Sequence, residues 1–179
     1  MKAITSKISV SLIWKIFQYI SFQLIWLTAV VGGNAWLWLV LVLIALHLYF
    51  SPTRMADIKL LPLALIGIAA DTGLTLVGVF EFSSPPLWLA AIWFGFVLNF
   101  GHSLSFLARL PRITLAPVGA AAGVWCYLAA WKLEAVVLPF AMWQTIVIIA
   151  VVWAIILPLL IVLDSHYREG SLSRQPQNP

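Results

Sequence analysis

Residues 139–163 decide the fold class and read PFAMWQTIVIIAVVWAIILPLLIVL, without a charged side chain. A helix needs about 17–25 predominantly apolar residues to cross the hydrocarbon core of a membrane, so this stretch is long enough to span it. The whole chain has a similar character, because 63% of its 179 residues are hydrophobic and 9% are charged. Soluble domains have roughly a quarter of their residues charged. The sequence therefore predicts an all-α, integral membrane helical bundle.

Apolar stretches of similar length precede this one, and together they predict about six transmembrane helices. The first two are separated only by Gly32, Gly33 and Asn34. Gly-Gly-Asn supplies the positive φ angles of a tight reversal. A single helix over residues 22–50 would be longer than one crossing needs, so a hairpin is favoured. The predicted spans cover residues 17–33, 35–50, 60–80, 87–108, 115–132 and 139–163.

Basic residues predict which side of the membrane each part of the chain occupies. With six spans and a cytoplasmic N-terminus, nine of the ten Lys and Arg residues fall in inner segments, and only Lys132 falls outside. Cytoplasmic loops carry such an excess of positive charge. Trp residues such as Trp36 and Trp143 fall at the predicted outer ends of spans, where an indole ring fits between lipid tails and head groups. Both patterns predict cytoplasmic N- and C-termini.

The chain is predicted to contain one domain between two terminal segments. Residues 1–18 place lysines and apolar residues at helical spacing, which predicts a basic amphipathic extension that lies on the membrane or lengthens the first span. Lys15 and Gln18 interrupt the apolar run, so a cleavable signal peptide is not expected. Residues 19–165 form the predicted transmembrane bundle. The polar segment 166–179 is expected to be a disordered cytoplasmic tail.

Two kinds of partner are not expected. The net charge of +4 lies in short patches between apolar runs, whereas a nucleic-acid partner needs a continuous basic stripe. Zinc sites need three or four ligands, and the sequence has neither a His-x-x-x-His motif nor a pair of cysteines. Neither a metal nor another cofactor is therefore expected. The partner that the composition does indicate is the lipid bilayer.

Asp71 is the main candidate functional residue, because it lies near the middle of the third predicted span. An unpaired charge at that depth costs at least about 2.5 kcal/mol, so an intramembrane Asp is expected to be paired or functional. Gly67, Asp71 and Thr75 share one helical stripe. A second stripe of small and polar residues in the fourth span would pack on it and place Asp71 near Asn99 and His102. That second stripe consists of Gly95, Asn99, His102 and Ser103.

This predicted cluster has two interpretations. In the first, it is an interhelical clamp in which Asp71 is neutralised or hydrogen-bonded to Asn99. In the second, it lines a cavity open to the cytoplasm, where Asp71 and His102 exchange protons or hold a polar head group. The candidate binding residues are then Asn99, Ser103, His47 and Arg109.

Short motifs in a fixed order give the sequence a resemblance to a known family. They are Phe-Gln-Leu-Ile-Trp-Leu from Phe22, Gly-Gly-Asn at 32–34, Leu-His-Leu at 46–48, Asp71, and Leu-Asn-Phe-Gly-His-Ser-Leu at 98–104. Over about residues 20–165 the chain resembles an uncharacterised, domain-of-unknown-function family of small multi-pass bacterial inner-membrane proteins. The resemblance implies an inner (cytoplasmic) membrane location, no established activity and an association with enzymes that modify membrane fatty acids.

The sequence leaves three functions open. The favoured one is a non-enzymatic membrane accessory or scaffold protein linked to lipid or envelope processes, with lipid-modifying membrane enzymes as its partners. The second is a small carrier that couples transport to protons through Asp71 and His102. The third is an intramembrane lipid-modifying enzyme that uses the same two residues as acid and base. The sequence thus leaves enzymatic activity open and favours a protein without it.

Overall fold

The computed structural model describes the backbone of residues 2–172 and the side chains of residues 16–167. Over this part of the chain the fold is helical, as predicted, and the one β-type contact is an isolated bridge between Glu81 and Val137. The α-helices are α1 (Lys2–Gly32), α2 (Leu37–Phe50), α3 (Arg54–Leu60), α4 (Ala64–Leu76), α5 (Leu87–Leu98), α6 (Arg112–Lys132) and α7 (Met142–Leu172).

The chain reverses between α1 and α2, as the Gly-Gly-Asn sequence predicts. Gly33 has a φ of 53°, and the side chain of Asn34 accepts a hydrogen bond from the backbone N–H of Trp88 at the start of α5. After the reversal α2 packs against both α1 and α5, and His47 in its last turn lies beside His102, which follows α5. The two ends of the bundle are named after these residues, the Asn34 end and the His47 end.

Four helical stretches of the described residues are long and apolar enough to cross a membrane, and α5 is a shorter apolar helix. In the most apolar part of each stretch no more than 33% of the residues are buried. Apolar side chains on the outside of a bundle are stable when lipid covers them. These helices are therefore those of a membrane-embedded protein. The four stretches are Ile16–Phe50, which includes the reversal, Arg54–Leu76, Arg112–Lys132 and Met142–Tyr167.

The third predicted span, 60–80, differs from the observed helices at both ends. The chain becomes helical earlier, in α3, and passes through a 3-10 segment, Leu61–Leu63, into α4. The helix α4 ends at Leu76 because Gly78 adopts a φ of 78°. The N–H of Val79 then donates to the carbonyl of Leu74, which is the hydrogen bond of a glycine-terminated helix.

The fourth predicted span, 87–108, is wrong beyond Leu98, where α5 ends. The side-chain amide of Asn99 donates to the carbonyl of Gly95 at 2.8 Å, and the hydroxyl of Ser103 donates to the Asn99 side chain at 2.8 Å. Such local side-chain hydrogen bonds compete with the helical backbone pattern. The chain continues as turns into the 3-10 segment Leu107–Arg109. The predicted helical stripe through His102 is therefore not a single helix face.

The helices α6 and α7 approach each other closely at two glycines of α6. A Cβ atom at Gly119 would lie 2.4 Å from the backbone oxygen of Trp153, and one at Gly123 would lie 2.2 Å from the Trp153 ring. Small residues at such positions let two membrane helices pack backbone to backbone. Trp153 also stacks on Trp93 of α5, with ring centroids 5.2 Å apart. This stack joins the α6–α7 pair to the rest of the bundle.

The helices extend into both predicted terminal segments. The helix α1 runs without a break from Lys2, so no boundary in the backbone separates the predicted 1–18 extension from the bundle. Most side chains of the predicted amphipathic face precede residue 16 and so lie outside the described residues. The helix α7 continues through Leu172 and thus into the segment 166–179 that was expected to be disordered. Residues 173–179 lie outside the described part of the chain.

Candidate functional site

Several of the buried polar side chains form two clusters in the bundle. In a chain with so apolar an exterior, these are the residues whose positions demand a physical explanation. The Asp71 cluster comprises Asp71, Trp93 and Tyr127. The histidine cluster comprises His47, Asp57 and His102, with the hydroxyls of Ser51 and Thr53 beside them.

The carboxylate of Asp71 ties three helices together. Its side chain in α4 accepts a hydrogen bond of 2.6 Å from the indole N–H of Trp93 in α5. Its other oxygen accepts a hydrogen bond from the hydroxyl of Tyr127 in α6. Asp71 is 4% exposed, and a hydrogen bond to a charged group contributes about 1.5–3 kcal/mol. Each carboxylate oxygen thus has its own donor, and each donor comes from a different neighbouring helix.

Aromatic packing holds both donors in place. The Tyr127 ring stacks on Phe80 with centroids 4.6 Å apart, and the Trp93 ring stacks on Trp153. Gly67 lies on the same stripe of α4 as Asp71, and a Cβ atom there would be only 2.1 Å from the Trp93 ring. The stripe predicted to face the fourth span does face it, but its partner is a large ring rather than a polar side chain.

Asp71 also lines a cleft of about 640 Å³ beside α4 and α5. Ser83, Ser84 and Pro85 line the same cleft, and both Ser84 and Pro85 accept hydrogen bonds from the side chain of Asn34. The cleft therefore belongs to the Asn34 end. The interpretation with a cytoplasmic cavity needs Asp71 to be reached from the opposite end, where His102 lies.

The histidine cluster brings two imidazoles and a carboxylate together out of contact with the surroundings. Nε2 of His102 lies 3.0 Å from Oδ2 of Asp57, and Nε2 of His47 lies 3.9 Å from the same oxygen. The two rings meet edge to face with centroids 5.5 Å apart. His47, Asp57 and His102 are 2%, 0% and 5% exposed. Each offers one nitrogen or oxygen atom, and these atoms all lie within 4.8 Å of one another.

The short connection between α2 and α3 orients the Asp57 carboxylate. The hydroxyl of Ser51 donates to Oδ2 of Asp57. The hydroxyl of Thr53 lies 3.3 Å and 3.4 Å from the two carboxylate oxygens, and its backbone N–H donates to the Ser51 hydroxyl. The loop residues 51–53 therefore cover the carboxylate and fix its direction. His102 reaches it from the turns that replace the end of the predicted fourth span.

His47 is the group in this cluster whose hydrogen bonding is incomplete. Among the described residues, no group forms a hydrogen bond with either of its ring nitrogens, although the side chain is buried. Its 3.9 Å separation from Asp57 exceeds hydrogen-bonding distance. A buried donor or acceptor without a partner costs about 1–3 kcal/mol. The imidazole is thus held at an energetic cost beside a carboxylate that it does not quite reach.

The family model described as "Protein of unknown function (DUF2878)" matches residues 15–159. The chain belongs to this family. The match agrees with the resemblance in the sequence over about residues 20–165 and begins slightly earlier, inside the predicted extension. The residues of both clusters lie within the part of the chain that matches the DUF2878 family. Neither the curated proteins nor the solved structures contain a match to this chain.

Within the DUF2878 domain, the predicted pairing of Asp71 with His102 is wrong. The carboxylate of Asp71 is bonded to Trp93 and Tyr127, whereas the ring of His102 lies beside Asp57. The pairing failed because it assumed that α5 continues as a helix through position 102. Two of the other predicted site residues, Asn99 and Ser103, bond to each other, and Arg109 is exposed at the His47 end. His47 does join His102.

Asp57 is the residue that the sequence interpretation missed. It lies between two predicted spans, where a solvated carboxylate is the ordinary expectation, yet it is fully buried. One signal for it was available, since Ser51 and Thr53 precede it and Thr53 lies four residues before it. At a helix start this spacing brings a hydroxyl next to a carboxylate. Within the DUF2878 domain the polar site therefore has a different acidic residue from the one predicted.

Proposed function

We propose that this chain is a non-enzymatic accessory protein of a bacterial inner membrane, crossing it six times with both termini in the cytoplasm. The six crossings are α1, α2, α3 together with α4, α5, α6 and α7. The exposed basic side chains of the described residues support this orientation. Lys132 precedes Leu133 and Glu134, which line a pocket with Asn34, while the other four lie close in the chain to Asp57 or His102. Those at the His47 end are Arg54, Lys59, Arg109 and Arg112.

The observation that carries the accessory role is the bonding of the Asp71 carboxylate. Both of its oxygens accept hydrogen bonds, from Trp93 and from Tyr127. An indole N–H is a donor only and does not accept a proton. A carboxylate held in this way joins helices, and neither of the two donors that the described residues supply is a basic group. The carrier and the lipid-modifying enzyme were both motivated by an Asp71–His102 pair, and that motivation is lost.

The partners proposed for this accessory protein are the lipid bilayer and membrane enzymes that modify lipids. Exposed apolar side chains support the contact with lipid, since Tyr49, Trp125 and Leu76 are 72%, 76% and 82% exposed. The resemblance of the sequence implies the association with lipid-modifying enzymes. The protein would act on them by contact within the membrane rather than by chemistry of its own.

Complementation of a deletion strain tests this function. Deletion is expected to change the fatty-acid composition of the membrane lipids, and expression of the wild-type chain should restore it. Asp71→Asn, produced at the same level and folded by circular dichroism, should restore it as well. Glu81→Gln serves as the matched control, because it removes an exposed carboxylate. Failure of a folded Asp71→Asn protein would favour an enzyme or carrier, and an unchanged lipid profile on deletion would contradict the link to lipids.

A further inference from the structure

The histidine cluster presents ligand atoms that transition-metal ions prefer. Nε2 of His47, Nε2 of His102 and Oδ2 of Asp57 converge below the loop 51–53. Imidazole nitrogen together with a carboxylate oxygen suits zinc, iron and related divalent ions, whereas calcium and magnesium prefer oxygen ligands alone. We propose that these three residues bind one divalent first-row transition-metal ion. This site goes beyond the accessory role and does not depend on it.

The unpartnered imidazole of His47 is an independent observation that points to a ligand. A His–Asp–His hydrogen-bond relay would bond both rings to the carboxylate, but only His102 lies within hydrogen-bonding distance of Asp57. Both nitrogens of His47 are buried, and neither has a hydrogen-bond partner within the part of the chain whose side chains are described. An ion between the three residues coordinates Nε2 of His47 and balances the charge of the buried carboxylate. A bound metal ion therefore gives His47 a partner, whereas a hydrogen-bond relay through Asp57 does not.

The distances fit a tetrahedral ion after small side-chain movements. Zinc lies about 2.0–2.2 Å from nitrogen and oxygen ligands, which places neighbouring ligand atoms about 3.3–3.5 Å apart. The separations of 3.0 Å and 3.9 Å from Asp57 Oδ2 to the two imidazole nitrogens lie on either side of that value. The remaining separation, between the two imidazole nitrogens, is within 4.8 Å. Coordination therefore requires the His47 ring to move toward Asp57.

The surroundings of the three ligands also match those of a metal site. The hydroxyls of Ser51 and Thr53 hold the Asp57 carboxylate, as outer-shell partners do in metalloproteins. Thr53 Oγ1 lies 3.5 Å from Nε2 of His102. Three protein ligands leave one position of a tetrahedral ion for a water molecule or an exogenous ligand. The exposed residues Pro52 and Thr53 place the site directly below the surface of the His47 end.

Cobalt titration of the full chain tests the proposal. The protein is purified in detergent with a tag that lacks histidine and is treated with a chelator. Addition of Co²⁺ should produce ligand-field absorption that saturates at one ion per chain, and Zn²⁺ should displace it. His47→Gln, Asp57→Asn and His102→Gln should each weaken binding more than about 100-fold, beyond the 10–100-fold cost of losing an outer-shell partner. Ser51→Ala should fall within that smaller range.

His166→Gln is the matched control, because His166 is the third histidine of the chain and is exposed outside the cluster. It should bind Co²⁺ as the wild type does. Wild-type protein that gives no saturable signal overturns the proposal, as does binding that survives loss of any of the three ligands or disappears in His166→Gln.

A second measurement keeps the test valid if the ligand variants fail to fold. An ion that binds only the folded state raises the unfolding temperature. The wild-type chain should therefore unfold at a higher temperature with Zn²⁺ than with chelator. Identical unfolding temperatures under the two conditions would overturn the metal site. Neither measurement depends on the lipid profile of the deletion strain. The metal site and the accessory role are therefore tested independently of each other.

Discussion

The indole N–H of Trp93 donates a hydrogen bond of 2.6 Å to the carboxylate of Asp71 across the contact between α5 and α4. The ring can approach because position 67, one turn before Asp71, is glycine. Gly67 and Asp71 of α4 thus both contact the same side chain of α5, that of Trp93. Packing and hydrogen bonding depend on each other at this contact, which makes it sensitive to substitution.

Trp93→Phe should lower the free energy of unfolding by about 1.5–3 kcal/mol, the contribution of a hydrogen bond to a charged group. Phenylalanine keeps an aromatic ring but removes the N–H, so one oxygen of the buried Asp71 loses its donor. Unfolding in mixed detergent micelles measures the change. Trp125→Phe is the control, because Trp125 is 76% exposed and its loss should have little effect. Equal effects of the two substitutions would show that the Asp71 bond does not stabilise the fold.

Tyr127→Phe should be less destabilising in an Asp71→Ala background than in the wild-type chain. The hydroxyl of Tyr127 donates to Asp71, so removal of the carboxylate removes the interaction that the hydroxyl makes. Residues in direct contact show coupling energies of about 0.5–3 kcal/mol in double-mutant cycles. The same unfolding assay supplies the four free energies. Tyr49→Phe, at a position 72% exposed, should instead be additive with Asp71→Ala, and additivity of Tyr127→Phe would exclude the coupling.

Gly67→Ala should destabilise the protein by about 1–3 kcal/mol, as overpacking of a close contact does. The new methyl group would lie 2.1 Å from the Trp93 ring and must displace it from Asp71. Gly73→Ala in the same helix is the matched control, because a Cβ atom there meets nothing within 4 Å. That change should be neutral or stabilise by up to about 1 kcal/mol through helix propensity. A neutral Gly67→Ala would contradict the observed packing.

Cysteine labelling should distinguish the two ends of the bundle. The chain has one cysteine, Cys126, and Cys126→Ala provides the background. Ser83→Cys is exposed at the Asn34 end and should react with a membrane-impermeant maleimide in intact spheroplasts. Met55→Cys and Ile113→Cys, exposed near the His47 end, should react only after permeabilisation. The opposite pattern would invert the proposed orientation, and labelling of all three in intact cells would contradict six crossings.

Periodicity and composition alone determined the membrane class and the first hairpin. A run such as 139–163 has no stable state in water because it lacks the polar surface to cover itself, and Gly33 accepts the φ of 53° that the reversal uses. The position of Asp71 within an apolar helix marked it as a residue that is either paired or functional. These conclusions follow from local properties of the chain, so no knowledge of the other helices was required.

The partners of the buried polar groups were decided only by the tertiary structure. Helical spacing states which residues share a face, but it does not state how far a Trp or Tyr side chain reaches from a neighbouring helix. Asp71 therefore bonds to Trp93 and Tyr127 rather than to Asn99. Asn99 bonds locally instead and α5 ends before it, which places His102 beside Asp57. Asp57 and His102 are 45 residues apart along the chain, and only the folded bundle makes them neighbours.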